Sequence, residues 1–312
     1  MSNVKKDQRK TILSFMGTRQ FQIQSMIVPW TIYIFIFAYI PMSGLIMAFQ
    51  NYSIPLGILK SPWAGLQHFR YFLTDPNILM VFRNTLGMNF LGLVLGFPAP
   101  ILFALVLNEV NHLQLKKVVQ TVSYLPHFVS WVIFGGLVIS MLSTDGGAVN
   151  QILLVLGIIK KPILFMSKPE WFWFISVMSS IIKEIGWGSI LYIAAISGID
   201  QELYDAANVD GAGRIARMRH ITLPSISPTI MIMLIFSISY ILSSGFDKIW
   251  MLQNNMNIST SEVFETYTYK IGIERMRFSY ATAVGLFKSV VAIILLLSAN
   301  FISKKVTEES LF

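Results

Sequence analysis

The chain carries few residues able to do covalent or metal chemistry. Its four histidines, His68, His112, His127 and His220, lie far apart with no ligand spacing, and cysteine is absent. The lack of thiols excludes disulfide frameworks, thiolate metal sites and cysteine nucleophiles. There is no H-E-x-x-H motif to hold zinc and no G-x-x-x-x-G-K-[ST] loop to cradle the phosphates of ATP. Gly211, Gly213 and Ala216 match G-x-G-x-x-A, but that fingerprint must follow a strand within a βαβ unit. Here ELYDAANVD, which reads as a helix, precedes it. No catalytic group, metal or cofactor is expected.

Polar chemistry in unusual surroundings is found at Lys183, Glu184, Trp187, Ser189 and Tyr192, all inside an apolar run near 171–196. Ionisable residues at such depth are costly and face a cavity or a partner. Neighbouring residues point about 100° apart on a helix, so Lys183 and Glu184 are not expected to pair with each other. His127 follows Pro126 inside another run and reads as a hydrogen-bonded structural histidine rather than a proton relay. Lys288 reads as a lysine that snorkels outward, and Asp247 as a loop cap or a gate residue.

The other informative segment is 197–224, SGIDQELYDAANVDGAGRIARMRHITLP. Ser197 or Asp200 can cap a short helix with acids in its first turn. Gly211 then breaks the helix, because glycine reaches backbone angles that other residues avoid. A second short helix follows, with Ile215 and Met218 on one face and Arg214 and Arg217 on another. Leu223-Pro224 ends it. Two short helices at an angle make a rigid knob. Ala206-Ala207 would let another surface approach closely, which a solvated connector does not need.

The elements that must position these residues are membrane helices. Of 312 residues, 54% are hydrophobic and 13% charged, and the mean hydropathy is +0.62. A soluble domain carries roughly a quarter charged residues, so a soluble enzyme, a disordered chain and a fibre are excluded. The net charge is +8, but the cations fill short gaps between apolar runs. Nucleic-acid binding would cluster them on one polar face, so no nucleic acid is expected.

Six runs, near 27–49, 85–107, 118–142, 171–196, 225–246 and 281–302, are long enough to span a bilayer, which takes about 20 residues. With no water to satisfy the backbone there, they must be helices. The expected fold class is all-α integral membrane with six transmembrane helices. The run 147–159 is too short to span and reads as an interfacial or loop-packed helix. Pro98, Pro100 and Pro126 should kink their spans. Trp30, Tyr33, Trp171 and Trp173 sit near span ends as interfacial anchors would. The first run is too long for a signal-peptide core and no small-residue cleavage site follows it, so it reads as a retained anchor.

With six spans, four basic groups fall on one side. They are Lys5, Lys6, Arg9, Lys10 and Arg19; Lys116 and Lys117; Arg214, Arg217 and Arg219; and Lys304 and Lys305. The positive-inside rule makes that side cytoplasmic, with both termini. Residues 1–26 then form a cytoplasmic segment and 303–312 a cytoplasmic tail.

Asp205-Ala206-Ala207, three residues, Gly211, nine residues, Ile221, one residue and Leu223-Pro224 reproduce the spacing of the EAA loop. That loop marks the permease subunits of binding-protein-dependent ABC importers, which the chain resembles. Asp205 stands where the pattern usually has Glu, one methylene shorter with the acid kept. NTLGMNFLGLVLGFPAPILFALVLNEV, VVQTVSYLPHFVSW, KEIGWGSILYIAAISGIDQELYDAANVDGAG and FSYATAVGLFKSVV look like the carbohydrate branch, more narrowly LplB-type oligosaccharide permeases.

The resemblance implies a type I permease fold over about 80–302, with the first span added before it. It implies a second related permease, two ATPase subunits and an extracellular sugar-binding lipoprotein as partners. The loop residues Asp205, Ala206, Ala207, Gly211, Ile221, Leu223 and Pro224 would then form the coupling helix that docks on the ATPase. A sugar path needs hydroxyl-bonding groups and aromatic faces, which makes Lys183, Glu184, Trp187 and Tyr192 candidates for it. A structural salt bridge to another helix or to the second permease is the alternative for the charged pair. Two other classes compete. A single-chain secondary transporter should show internal repeats around a midplane ion site, and none is convincing. A membrane enzyme should cluster His or carboxylates at one depth, and Glu184 is the one acid well inside a span.

Overall fold

The computed structural model describes residues 19–307. Among them it is helical, with a lone β-bridge between Gln50 and Trp63. The N-terminal group Lys5, Lys6, Arg9 and Lys10 lies outside the described residues.

The principal helices in chain order are α1 (Ile23–Phe49), α2 (Gln67–Thr74), α3 (Ile78–Asn108), α4 (Leu113–Phe128) and α5 (Trp131–Met141). They continue as α6 (Ala148–Val155), α7 (Pro169–Ser197), α8 (Gln201–Val209), α9 (Arg214–Ser225) and α10 (Ser227–Ser239). The last three are α11 (Phe246–Leu252), α12 (Phe264–Tyr269) and α13 (Phe278–Lys305). By length and composition α1, α3, α7 and α13 each cross a bilayer. The pairs α4–α5 and α9–α10 are bent by 103° and 65°, and counting each as one span gives six.

The prolines behave differently from one another. Pro98 and Pro100 sit in the turn after a π-helical stretch, Gly92–Gly96, and α3 passes through them unbroken. A π turn shifts the hydrogen-bond register and so accommodates missing donors. Pro126 is followed by an elbow instead. Val129 turns extended, and Ser130 caps α5 by accepting from Ile133 N at 3.4 Å. The fifth run departs from its expected range of 225–246. Its helix stops at Ser239, and the chain turns at Gly245, where φ is +80°, before forming α11. The short run at 147–159 forms α6, as its length predicts.

The fourth span, α7, is the central element. Of its most apolar stretch 39% is buried, against 6% for α1. Gly186 lets it touch α4 backbone to backbone, since a Cβ there would lie 2.2 Å from Ser123 O. Gly188 leaves room for the Pro100 ring of α3, whose Cγ would lie 3.1 Å from a Cβ there.

At the end of the bundle away from α8 and α9, a cluster of Phe72, Val81, Phe264, Tyr267, Tyr280 and Val284 joins α2, α3, α12 and α13. Asp75 is its polar centre. It accepts from Tyr267 at 2.7 Å, from Tyr280 at 3.2 Å and from the Asn77 N–H at 2.8 Å. Burial alone would raise this carboxyl, but the three donors together hold it below its ordinary value. Burial also pushes the Tyr267 phenol up, and its bonds to Tyr280 and Asp75 act in the same direction.

Candidate functional site

The knob is built by side-chain and backbone caps. Asp200 caps α8, its Oδ1 accepting from Glu202 N at 3.0 Å. Ser197 is the last residue of α7 and bonds back to Ile193 O. At the other end of α8, Gly211 N bonds Asn208 O at 3.1 Å and Ala212 N bonds Ala207 O at 2.8 Å. That pair of bonds is the Schellman motif, which places a left-handed residue after the helix. Gly211 is that residue, with φ +76°. A Cβ there meets nothing within 4 Å, so the demand for glycine comes from the backbone angle and not from crowding.

Three side-chain contacts then fasten the knob. Tyr204 and Thr222 hydroxyls are 2.9 Å apart, joining α8 to α9. Arg217 bonds Asn208 across the turn and Glu109 Oε2, just past the end of α3, at 3.4 Å. None of these contacts follows from the motif spacing, because each joins residues whose partners only the fold brings near. Asp205, Ala206, Gly211, Leu223 and Pro224 are exposed; Ala207 and Ile221 are half-buried. Among the described residues the Asp205 side chain makes no hydrogen bond, so it is free to meet another surface. Val209 is 88% and Ile215 77% exposed, which leaves apolar side chains on the knob uncovered.

The interior candidates gather at the α4–α5 elbow. Lys183 is 3% exposed, and its amine donates to Pro126 O at 3.1 Å and His127 O at 2.6 Å. Both are carbonyls of the last turn of α4, a place that favours a cation, and Pro126 O also accepts from Val129 N at 3.2 Å. The amine also lies 5.6 Å from the Trp131 ring centre. His127 Nδ1 donates to Glu184 Oε2 at 2.6 Å, and the imidazole stacks on Trp187 with 4.2 Å between ring centres. Contrary to the helical-angle expectation, Lys183 and Glu184 do approach each other, at 3.4 Å. The long lysine stem folds toward the elbow and brings its amine beside the carboxylate. Lys288 also departs from expectation. It does not snorkel away but pairs with Glu265 of α12.

Tyr192, two turns beyond, is buried with Ile101, Ile196 and Ile226. It borders a cavity of about 490 Å³ between α3, α7 and α10, with Tyr240, Ser237 and Ser243. A second cavity, about 160 Å³, lies between α3, α7 and α11 and is lined by Asn89, Ser180, Glu184 and Lys248. The two share Asn89, Gly92, Gly96 and Pro100 as a wall. Glu184 and Tyr192 therefore border internal space, whereas Lys183 and Trp187 line neither cavity.

A helical membrane bundle with internal cavities that hold a few polar groups and a fastened knob at one end is the architecture of a transport permease. The chain belongs to the family of binding-protein-dependent transport system inner membrane components, which matches residues 92–308. It is 45% identical to protein LplB of Bacillus subtilis (strain 168), over 92% of this chain and 90% of that protein. It is 44% identical to the polygalacturonan/rhamnogalacturonan transport system permease protein YteP of the same organism, over 99% of this chain and 95% of that protein.

Among solved structures it is similar to a bacterial ABC transporter involved in the import of the acidic polysaccharide alginate. The TM-score is 0.85 at 40% identity, covering 95% of this chain and 99% of that one. The match is as good, at TM-score 0.85, to the alginate transporter in complex with an alginate pentasaccharide-bound periplasmic protein. The expected fold, an all-α membrane permease of the type I ABC importer class, is thus the observed one. Family membership sets aside the single-chain carrier and makes the chain a transport permease component.

Proposed function

We propose that this chain is one of two related permease subunits in an ATP-driven importer of oligosaccharides across the cytoplasmic membrane. Its partners are a second permease, two ATPase subunits and an extracellular sugar-binding lipoprotein. It hydrolyses nothing itself and lends half of the translocation path. The single observation that carries the reading is the knob, a Schellman-turned pair of helices set directly between α7 and α10. It is tied to α3 and leaves Val209 and Ile215 uncovered. Asp205, Ala206, Ala207, Gly211, Ile221, Leu223 and Pro224 present or shape this surface toward the ATPase. That side is the cytoplasmic one, and both termini lie there. The permease domain runs over about 80–302, with α1 as an added anchor before it. Glu184 and Tyr192 border the path, and Lys183 and Trp187 hold the elbow beside it.

Co-expression with the partner subunits tests this. The chain should purify with a second permease and two ATPase chains, and transport should require all of them. A chain that transports sugar alone in liposomes overturns the reading.

A further inference from the structure

Lys248 lines the smaller cavity but takes no part in the elbow or the knob. It stands on α11, and its amine reaches Ser180 Oγ, near the middle of α7, at 3.1 Å. Ser180 donates its own hydrogen to Ser176 O at 3.0 Å, so toward the lysine it acts as acceptor. An ammonium has three N–H groups. Among the described residues the other two N–H groups of Lys248 have no acceptor.

The other lysines packed into the bundle are matched. Lys183 has two carbonyls and Glu184. Lys270 has Glu262 at 2.5 Å and Gln253 at 2.7 Å, and Lys288 has Glu265. The two acids that could compensate Lys248 are both engaged elsewhere. Glu265, whose charge reaches Lys248, is bonded to Lys288 through Oε1, and its buried Oε2 makes no bond to Lys248. Glu184, on the same cavity wall, is held by His127 and Lys183.

The cavity that Lys248 lines therefore offers two free lysine N–H groups beside Glu184, whose own charge is taken by His127 and Lys183. It also holds an open acceptor, because Asn89 donates its two amide N–H groups to Ile241 O at 2.8 Å and Ser244 Oγ at 2.9 Å. Its carbonyl oxygen makes no bond among the described residues. A cation with free donors beside a free acceptor, at the depth of the span centres, suits a ligand carrying a carboxylate and hydroxyls.

We propose that Lys248, with Ser180 and Asn89 beside it, is a carboxylate-binding point inside the translocation path, engaging the uronate groups of an acidic oligosaccharide as it passes. This rests on the importer reading above and narrows its substrate to acidic sugars. The 490 Å³ cavity that shares the Gly92–Gly96–Pro100 wall, with the Tyr192 and Tyr240 rings, is the continuation of that route toward the knob.

The test reconstitutes the whole importer with its binding protein in proteoliposomes. It measures ATP-dependent uptake of an alginate pentasaccharide, a polygalacturonate pentasaccharide and a neutral pentasaccharide. Wild type should take up an acidic probe. Lys248→Met should lower that uptake at least tenfold, and Lys248→Arg, which keeps the charge, should restore most of it. Equal uptake by wild type and Lys248→Met overturns the Lys248 assignment and leaves the importer reading standing. Wild-type uptake of the neutral probe alone overturns the acidic class and Lys248 together. No uptake of any probe overturns the importer reading and this one with it. If Lys248→Met does not co-purify with its partners, Lys248→Gln replaces it, and equal uptake again overturns the assignment.

Discussion

Lys183 closes the end of a helix in a neighbouring span, and its charge rests on carbonyls as well as on a carboxylate. Removing it leaves the His127 carbonyl without its donor, at about 1–3 kcal/mol for an unsatisfied buried group, while Pro126 O keeps its bond from Val129 N. Lys183→Met should therefore lower the yield and thermal stability of the purified complex. Glu184→Gln keeps an acceptor for His127 and should assemble normally while uptake falls. Wild-type stability of Lys183→Met, followed through its detergent-solubilised melting curve, would place the lysine in the path after all. Asp75 offers a pH test at the opposite end. Its folded carboxyl titrates below the ordinary 3.8, so its stabilisation is complete above that value and disappears as pH falls through the folded one. Wild type should lose an increment of stability in that acidic window. Asp75→Asn should lack the increment at neutral pH and show a flatter profile, and parallel profiles would remove Asp75 from the account.

Among the elements, the knob was legible from sequence for a physical reason. Caps and breaks are local, and Asp200, Gly211 and Pro224 announce them within a few residues. The elbow was half legible. Pro126 predicted a disturbance, but whether a proline kinks, is absorbed or ends a helix depends on its neighbours. Gly92–Gly96 absorbs Pro98 and Pro100, while Ser130 and Lys183 secure a turn after Pro126. The separate helix α11 escaped notice because an apolar run reads the same whether it crosses or turns back. Gly211 distinguishes backbone demand from contact. Gly211→Val should strain the turn by roughly 1–2 kcal/mol and uncouple ATP hydrolysis from transport. Gly211→Asn, which tolerates the left-handed region, should keep more of the coupling. Ala207→Trp should cost roughly 1–3 kcal/mol of contact and release the ATPase on co-purification. Equal coupling in all three variants would reduce the loop to a connector.

Across the whole molecule, composition and run length gave the class and, with each bent pair counted as one, six spans, since bilayer thickness constrains every membrane helix alike. The contacts that join distant parts, such as His127 with Glu184 and Arg217 with Glu109, carried no signal in a single sequence. Arg217 is the test of how those parts act together. Arg217→Ala should leave subunit retention intact but lower the sugar moved per ATP severalfold, because the knob loses both its cross-turn bond and its hold on α3. An unchanged ratio would show that the knob acts through its chain connections alone. That hold gives α3 a mechanical character. It is a continuous helix from Glu109's end to Asn89 and the wall of both cavities, whereas the spans on either side of α7 are bent at Val129–Ser130 and Ile226. Thrust applied at the knob would then be carried along α3 as along a push-rod, with the rotation taken up at the two bends.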